Sequence, residues 1–297
     1  RFGKLAFADL MAPAVEIAER GYAVPVVVQQ KWMLASKVAE LVAGPGFAAQ
    51  FLPKGRPPEA GERVAMPNVA RALKLIGATK GEAFYRGEIG AAIADWSRRH
   101  GGAMTAADLA SYRPEWVTPL AQDYRGHTLH EIPPNGQGIA AQMASGMLEH
   151  FDLSSMPIDG AACQHLQIEA MKLAFADVYR FVADVRSMEG PPSMLLDAQY
   201  LASRAKLIDP KRAQVFGAGN GVKGGTIYLS AADESGMMVS FIQSNYMGFG
   251  SGVVVPDWGL SLQNRGHGFT LKAGSPNVVA PGKRPFHTII PAFLTKD

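Results

Sequence analysis

The strongest constraint on the fold is a change of pattern late in the chain. Upstream, apolar residues recur mostly at helical spacing, as in residues 5–20. Residues 226–233 and 237–244 instead have the composition of two strands, and the Glu-Ser-Gly at 234–236 is typical of a hairpin turn. The sequence therefore predicts an α+β or layered α/β/β/α protein in which helices precede an antiparallel hairpin.

Further elements follow from the same patterns. Helical spacing predicts helices at 29–41, 69–77 with Asn68 as the N-cap, 81–100, 139–151, 160–187 and 197–207. Alternating apolar and polar residues predict paired strands within 117–132 and short strands at 252–255, 261–263 and 288–294. Thr105 and Asp108 form a capping-box pattern before one more short helix. The glycine-rich, polar residues 209–225 are predicted to be mobile.

Composition argues against several classes of function. A net charge of +3 without a long basic run gives no reason to expect a nucleic-acid partner. No apolar run approaches the roughly 18 residues that a membrane span needs, and we expect no membrane span. The single cysteine, Cys163, lies in an apolar helical pattern and is predicted to be a buried structural residue. His127 and His130 would point to opposite faces of a strand, so no metal is predicted. The glycine-rich residues 217–221 lack the strand-loop-helix context of a dinucleotide loop, and no cofactor is predicted.

Thr226 is the candidate nucleophile. An N-terminal threonine carries a hydroxyl and an α-amino group, whose pKa of about 8 allows it to remove the hydroxyl proton. Cleavage between Gly225 and Thr226 would have to release that amine first, and glycine permits unusual backbone angles and leaves its carbonyl accessible. Residue type and spacing alone favour the simpler interpretation, in which Thr226 is the first residue of a β-strand.

The stretch TIYLSAADESGMMVSFIQSNYMGFGSG at 226–252 resembles the start of the small subunit of the γ-glutamyltranspeptidase family. Members of this family are N-terminal-nucleophile hydrolases that are made as single proenzymes. Other segments resemble motifs of the family in the same order, at 12–21, 82–87, 101–112, 123–126, 133–134, 169–177 and 280–285.

The resemblance implies a four-layer α/β/β/α N-terminal-nucleophile hydrolase fold. It also implies that residues 1–225 are a large-subunit portion ending in a flexible processing loop, and that residues 226–297 begin the small catalytic subunit. Both portions would belong to one structural domain. Because the chain opens with Arg1 and stops in a strand-like segment, we expect a fragment of the proenzyme that lacks both ends.

The resemblance also assigns roles to individual residues. Thr226 falls on the nucleophile of the family, and Ser244 falls where a second hydroxyl, usually of threonine, hydrogen-bonds that nucleophile. Gly225 and Thr226 flank the expected processing site. The acyl group would pass to the nucleophile and then to water or an acceptor amine. The two backbone N–H groups that hold the oxyanion are expected beyond Asp297.

The expected substrate pocket differs from that of members that cleave glutathione. The resemblance places Tyr246 at a usual asparagine, Arg265 at a usual glutamine, Gly268 at a usual aspartate, and His287 and Thr288 at two usual serines. The aspartate of those members pairs with the α-ammonium of the substrate, and leaving that cation without a partner would be costly. Arg265 and His287 are instead suited to a carboxylate, although both could also be scaffold residues.

This pattern resembles the transpeptidase-like branch that includes oxamate amidohydrolase and certain cephalosporin acylases. It implies a self-processing amide hydrolase or acyltransferase acting on a small or anionic acyl amide, with substrate bound by Tyr246, Arg265, His287 and Thr288. Two alternatives stay open. One is a true γ-glutamyltransferase or glutathione hydrolase of glutathione metabolism, and the other is a non-catalytic member acting as a binding or scaffold protein.

The expected partners are a small-molecule amide and the large and small subunits of the same precursor. A homodimer of processed heterodimers is one assembly compatible with this expectation. The compartment stays open between cytoplasm and periplasm.

Overall fold

The computed structural model describes residues 2–216 and 226–296, which form two compact units. Unit 1 combines Arg1–Glu115 with Met247–Asn264, and unit 2 combines Trp116–Tyr246 with Arg265–Asp297. Both contain helices and short antiparallel strands, which confirms the predicted mixed α and β content. The proposed subunit boundary at residue 226 is a separate prediction about processing.

The elements are mostly short. The helices are α1 (Phe7–Arg20), α2 (Val26–Ala35), α3 (Ala39–Val42), α4 (Phe47–Phe51), α5 (Pro67–Ala78), α6 (Glu82–Tyr85), α7 (Glu88–Arg99), α8 (Ala106–Ser111), α9 (Ile139–Leu148), α10 (Ala161–Phe181) and α11 (Ala198–Ala205). The strands are β1 (Tyr22–Ala23), β2 (Arg63–Val64), β3 (Leu120–Tyr124), β4 (His127–Glu131), β5 (Ile227–Ala232), β6 (Met238–Gln243), β7 (Val254–Val255), β8 (Leu260–Ser261) and β9 (Phe293–Thr295). Turns of 3-10 helix lie at Val185–Ser187, Pro192–Leu196, Pro256–Trp258 and Arg265–Gly268.

Unit 1 is built around helices. Helix α1 packs against α5, β1 pairs antiparallel with β2, and β7 pairs antiparallel with β8. An apolar cluster joins α5, α6 and α7 to the segment around β7 through Ala72, Ala83, Ile89, Ile93, Val255 and Trp258. The predicted capping box is confirmed, since the Thr105 hydroxyl accepts from the Asp108 N–H and the Asp108 carboxylate accepts from the Thr105 N–H.

Three helix predictions in unit 1 are wrong in detail. The predicted helix at 81–100 is split into α6 and α7 at Gly87, where a Cβ would lie 2.8 Å from the Cα of Ala83. The predicted helix at 29–41 is likewise two helices, α2 and α3. Helix α5 begins at Pro67, which suits a first helical turn, so Asn68 is not the N-cap. Its side chain instead donates to Gln50 Oε1 at 2.7 Å.

Unit 2 contains the larger apolar core. Helix α9 packs against α10 and α11, and its residues Met143 and Met147 are fully buried against Leu166 and Leu173 of α10. Strands β3, β4 and β9 form an antiparallel sheet beside α9. The predicted break between β3 and β4 is confirmed, because the turn after Tyr124 consists of residues in the left-handed region.

Two boundaries in unit 2 differ from the predictions. Helix α10 is the longest in the described ranges, as expected, but it ends at Phe181 because Val182 adopts an extended conformation. The predicted strand at 288–294 is reduced to β9, at Phe293–Thr295. Cys163 is buried with 5% of its surface exposed, as predicted.

The predicted hairpin is confirmed by β5 and β6. The strands pair antiparallel from Ile227 opposite Gln243 to Ala232 opposite Met238. In the turn, Asp233 Oδ1 accepts hydrogen bonds from the backbone N–H groups of Ser235 and Met237. Of the segment predicted to be mobile, residues 209–216 contain neither helix nor strand, and residues 217–225 lie outside the described residues.

No helix within the described ranges combines the length and the apolar character needed to cross a membrane.

Candidate functional site

A cleft of about 1050 Å³ in unit 2 contains several of the predicted site residues. Thr226, Tyr246, Arg265 and Thr288 all line it. Aromatic residues form much of the remaining wall, contributed by Phe175, Tyr179, Phe216, Phe269 and Phe286. The cleft therefore brings together a hydroxyl group, a guanidinium group and an apolar surface.

The hairpin brings the two predicted catalytic hydroxyls into contact. Its register pairs Ile227 with Gln243, so Thr226 and Ser244 are the next residues at the open end of the hairpin. Thr226 Oγ1 donates to Ser244 Oγ at 3.2 Å, and the side chain of Thr226 is exposed. Gly225, the other residue of the predicted processing site, lies outside the described residues.

Tyr246 links the hydroxyl pair to the guanidinium group. Its backbone has a φ of 77°, in the left-handed region, which non-glycine residues seldom adopt. In this conformation its N–H donates to Ser244 Oγ at 2.8 Å, while its ring lies beneath Arg265. The residue predicted to contact substrate is thus 6% exposed and contacts other site residues.

Arg265 is held from two sides. Its guanidinium carbon lies 3.6 Å from the centroid of the Tyr246 ring, and its Nη1 donates to Thr288 Oγ1 at 2.8 Å. Only 6% of its surface is exposed, a setting in which a cation–π contact contributes on the order of 2 kcal/mol. Burial lowers the pKa of Arg265, and the interaction with Tyr246 raises it. Because arginine stays protonated in proteins, the cleft wall carries a permanent cation.

Because Gly268 has no side chain, Arg265 can occupy the space beside it. A Cβ at position 268 would lie 2.4 Å from the carbonyl oxygen of Phe286 and 2.8 Å from Arg265 Nη2. No larger residue fits there unless both neighbours move. Asn277 fixes this arrangement, because its Nδ2 donates to the Gly268 carbonyl at 2.7 Å and its Oδ1 accepts from the Phe286 N–H at 3.0 Å.

His287 lies next to this group but is not part of the cleft wall. Its backbone N–H donates to Asn135 O and its carbonyl accepts from the Gln137 N–H, both at 2.9 Å. Its Nδ1 accepts from the Ile289 N–H at 3.2 Å, which leaves the proton of the neutral ring on Nε2. Burial lowers the pKa of His287 to about 4, and the Arg265 cation acts in the same direction. His287 is therefore neutral near pH 7, and its direct contact with substrate stays a prediction.

Acid is expected to destabilise the protein through His287. Its pKa is about 4 in the folded chain and 6.5 in the reference state, so the unfolded chain takes up the proton first as the pH falls. At about 1.4 kcal/mol for each pKa unit, the contribution of His287 to the free energy of unfolding should fall by roughly 3 kcal/mol between pH 7 and pH 4. His287→Asn should remove this loss, which urea unfolding at the two pH values measures.

Glu131 also makes the stability depend on pH, so wild type has to be compared with the variant. Burial raises the pKa of Glu131 to about 7, so its contribution to stability changes with pH in the opposite sense. The contribution of His287 is obtained by subtracting the change in the free energy of unfolding of His287→Asn from that of wild type. His100→Asn, which changes an exposed histidine after α7, should keep the wild-type pH dependence. An equal change in the free energy of unfolding between the two pH values in His287→Asn and wild type would contradict the assignment.

Sequence reasoning missed several residues that shape the site. Phe175 and Tyr179 are four residues apart on α10 and stack at 5.6 Å, so their helical spacing was a usable signal. Asn277 offered no such signal in the sequence.

Asp184 is a further residue that sequence reasoning missed. It is 3% exposed, it accepts from the Arg284 N–H at 2.9 Å, and its pairing with Arg186 lowers its pKa well below the usual range. It thereby anchors the segment that leads to Thr288.

Metal ligands are not assembled in the part of the chain that the structure describes, where no three His, Cys, Asp or Glu side chains form a group that could hold an ion. The two histidines of β4 have other contacts. His130 Nε2 lies 2.9 Å from Thr295 Oγ1, and His127 Nδ1 lies 3.3 Å from the carbonyl of Arg125.

Comparison with known proteins identifies the family of this chain. The sequence model of the family described as Gamma-glutamyltranspeptidase matches residues 1–297. The oxamate amidohydrolase proenzyme of Klebsiella pneumoniae is 36% identical over 97% of this chain and 54% of that protein. The glutathione hydrolase-like YwrD proenzyme of Bacillus subtilis is 33% identical over 99% of this chain and 55% of that protein.

A solved structure shares the fold across the whole chain. The cephalosporin acylase from Bacillus halodurans has a TM-score of 0.91 and 42% sequence identity, covering 100% of this chain and 55% of that one. The chain spans about half the length of the curated relatives that it matches.

Proposed function

Because this chain belongs to the γ-glutamyltranspeptidase family, as its motifs predicted, we propose that it is part of a self-processing amide hydrolase or acyltransferase with Thr226 as the nucleophile. The observation that carries the proposal is the 3.2 Å contact between Thr226 Oγ1 and Ser244 Oγ at the open end of the hairpin. Ser244 Oγ also accepts from the Tyr246 N–H, so the acceptor of the Thr226 hydroxyl is itself held in place.

Processing comes first in this proposal. Thr226 Oγ1 attacks the carbonyl carbon of Gly225, the C–N bond breaks, and the Gly225 acyl group moves to the threonine oxygen as an ester. Water then hydrolyses the ester, which leaves a carboxylate on Gly225 and a free amine on Thr226. The relatives named as proenzymes support this step. Residues 1–225 and 226–297 would then belong to the large and small subunits.

Turnover uses the amine that processing releases. The amine accepts the proton of Thr226 Oγ1 as this oxygen attacks the amide carbon of the substrate. Collapse of the tetrahedral intermediate breaks the amide C–N bond, and the leaving amine takes the proton. The acyl ester on Thr226 is then transferred to water, which gives hydrolysis, or to an acceptor amine, which gives acyl transfer.

The substrate is proposed to carry an anionic acyl group. The described residues of the cleft wall include the cations Arg180, Arg265 and Lys272 and no aspartate or glutamate. An ammonium group of a γ-glutamyl substrate would therefore lack a carboxylate partner on that wall. Arg265 can donate hydrogen bonds to a carboxylate in a water-poor setting, where such bonds are strong.

The proposed four-layer α/β/β/α fold is supported by the exposed surface of the hairpin. Successive residues of β5 point to opposite faces, yet Ile227, Tyr228 and Leu229 expose 65%, 52% and 47% of their surface. Phe241 of β6 exposes 46%. A two-stranded hairpin is marginally stable by itself, so this pair suits a larger sheet that is covered on both faces.

Oxamate and a γ-glutamyl anilide are the substrates that test the proposal. For the complete protein, kcat/KM should be at least about 100-fold higher for oxamate. A higher value for the anilide would overturn the anionic specificity in favour of a γ-glutamyltransferase or glutathione hydrolase. Absence of both cleavage and turnover would favour a non-catalytic binding protein. The homodimer of processed heterodimers stays a prediction.

A further inference from the structure

The segment just upstream of the predicted processing site is bound along one face of α10. His165, Glu169 and Lys172 share this face, because they are spaced four and three residues apart. His165 Nε2 donates to the carbonyl of Asp209 at 2.8 Å. Glu169 Oε2 accepts from the Gln214 N–H at 3.1 Å, and Lys172 Nζ donates to the Gln214 carbonyl. Both polar groups of the Gln214 backbone are thus bound by α10.

The contacts at Gln214 form a partly buried, charge-balanced clamp, defined here as Glu169, Lys172 and Gln214. Only 1% of the Glu169 side chain is exposed, and its Oε1 pairs with Lys172 Nζ at 2.6 Å. A buried carboxylate is tolerated when a cation and hydrogen-bond donors surround it. Glu169 has Lys172 as the cation and the Gln214 N–H as a backbone donor, so release of residue 214 would leave one of its oxygens without that donor.

The clamp also directs the chain to the cleft. Lys172 Nζ lies 5.5 Å from the centroid of the Phe216 ring, and Phe216 lines the same cleft as Thr226. Phe216 is therefore held at the cleft by α10, and Thr226 is held there by the hairpin.

We propose that Glu169 and Lys172 are positioning residues for cleavage between Gly225 and Thr226. This role rests on the proposed function, since it requires that Thr226 be the processed nucleophile. Holding the chain at Gln214 and at Thr226 reduces the conformations open to the residues between them, which lowers the entropy cost of the one backbone conformation in which the adjacent Gly225 carbonyl carbon faces the Thr226 hydroxyl. Cleavage adds one water across the Gly225–Thr226 amide, and the clamp takes no part in the bonds that form or break.

Gln214→Pro tests the clamp without changing α10. Proline has no N–H, so this variant removes the donor to Glu169 Oε2. The matched control is Gln214→Ala, which loses the same side chain, and with it the oxygen that accepts from the Asp209 N–H at 2.8 Å, but keeps the backbone N–H that donates to Glu169. In the complete protein, Gln214→Pro should slow first-order cleavage at least about tenfold relative to Gln214→Ala.

Two readouts separate positioning from general loss of structure. The cleavage rate comes from a time course on denaturing gels, and kcat for amide hydrolysis is measured on the cleaved fraction. Positioning predicts a slower cleavage rate with an unchanged kcat, whereas a loss of structure lowers both.

Lys172→Met is the second variant. It keeps an unbranched side chain but removes the donor to the Gln214 carbonyl. If urea unfolding shows that Gln214→Pro does not fold, the cleavage rate of Lys172→Met tests the clamp instead. Cleavage of the folded variants at the rate of Gln214→Ala would overturn this inference. A wild-type protein that is never cleaved would instead contradict the proposed function.

Discussion

Thr226→Ala is expected to leave the complete protein as a single uncleaved chain and to lower kcat for amide hydrolysis by at least about a thousandfold. The variant lacks the oxygen that attacks Gly225, so the α-amine of residue 226 is never released. It also lacks the oxygen that would carry the acyl group during turnover. A denaturing gel measures the first effect, and steady-state hydrolysis of oxamate measures the second.

Two controls accompany this variant. Thr226→Ser keeps a hydroxyl on the same backbone position and should still be cleaved. Ser230→Ala removes an exposed hydroxyl from the same strand, β5, and should behave as wild type. Cleavage of Thr226→Ala at the same peptide bond would show that another group is the nucleophile.

Arg265→Gln is expected to lower kcat/KM for oxamate at least about 100-fold, mainly through a higher KM. A hydrogen bond from a charged donor contributes about 1.5–3 kcal/mol, and two such bonds to one carboxylate account for the expected change. Glutamine keeps a hydrogen-bond donor but loses the cation. Arg265→Lys should recover little of the activity, because lysine cannot bind a carboxylate in the same two-pronged geometry.

The competing role for Arg265 is structural. It stacks on Tyr246 and donates to Thr288, so its replacement will also change stability. Activity should therefore be normalised to the folded fraction, measured by urea unfolding. Arg212→Gln, which changes an exposed arginine in the same unit, is the matched control. If the normalised kcat/KM of Arg265→Gln equals that of wild type, Arg265 is a scaffold residue.

Short-range patterns predicted the elements that depend on neighbouring residues. The hairpin β5–β6, the turn between β3 and β4, and the Thr105 capping box all have their determinants within a few residues in sequence. The predictions were wrong where contacts between residues distant in sequence determine the local structure. Asn68 donates to Gln50 and to the carbonyl of Pro256 and accepts from the Val69 N–H at 3.0 Å, so it acts from inside the first turn of α5, which begins at Pro67.

The candidate site likewise contains one contact that could be predicted from the sequence and others that could not. The hydroxyl pair was predictable because Thr226 and Ser244 lie at the ends of one hairpin, where strand pairing brings them together. The environment of Arg265 was not predictable, because Tyr246 and Thr288 are far from it in sequence and their contacts depend on the path of the chain.

By itself, the sequence determined the family, the hairpin and the identity of the candidate nucleophile. These depend on the order of residue types and on local hydrogen bonding, which can be recognised without the tertiary structure. Only the tertiary structure decided that Tyr246 and Thr288 hold Arg265, that His287 lies beside the cleft wall, and that α10 binds the backbone at Gln214. The physical reason is that burial and partner choice depend on which distant segments fill the same space.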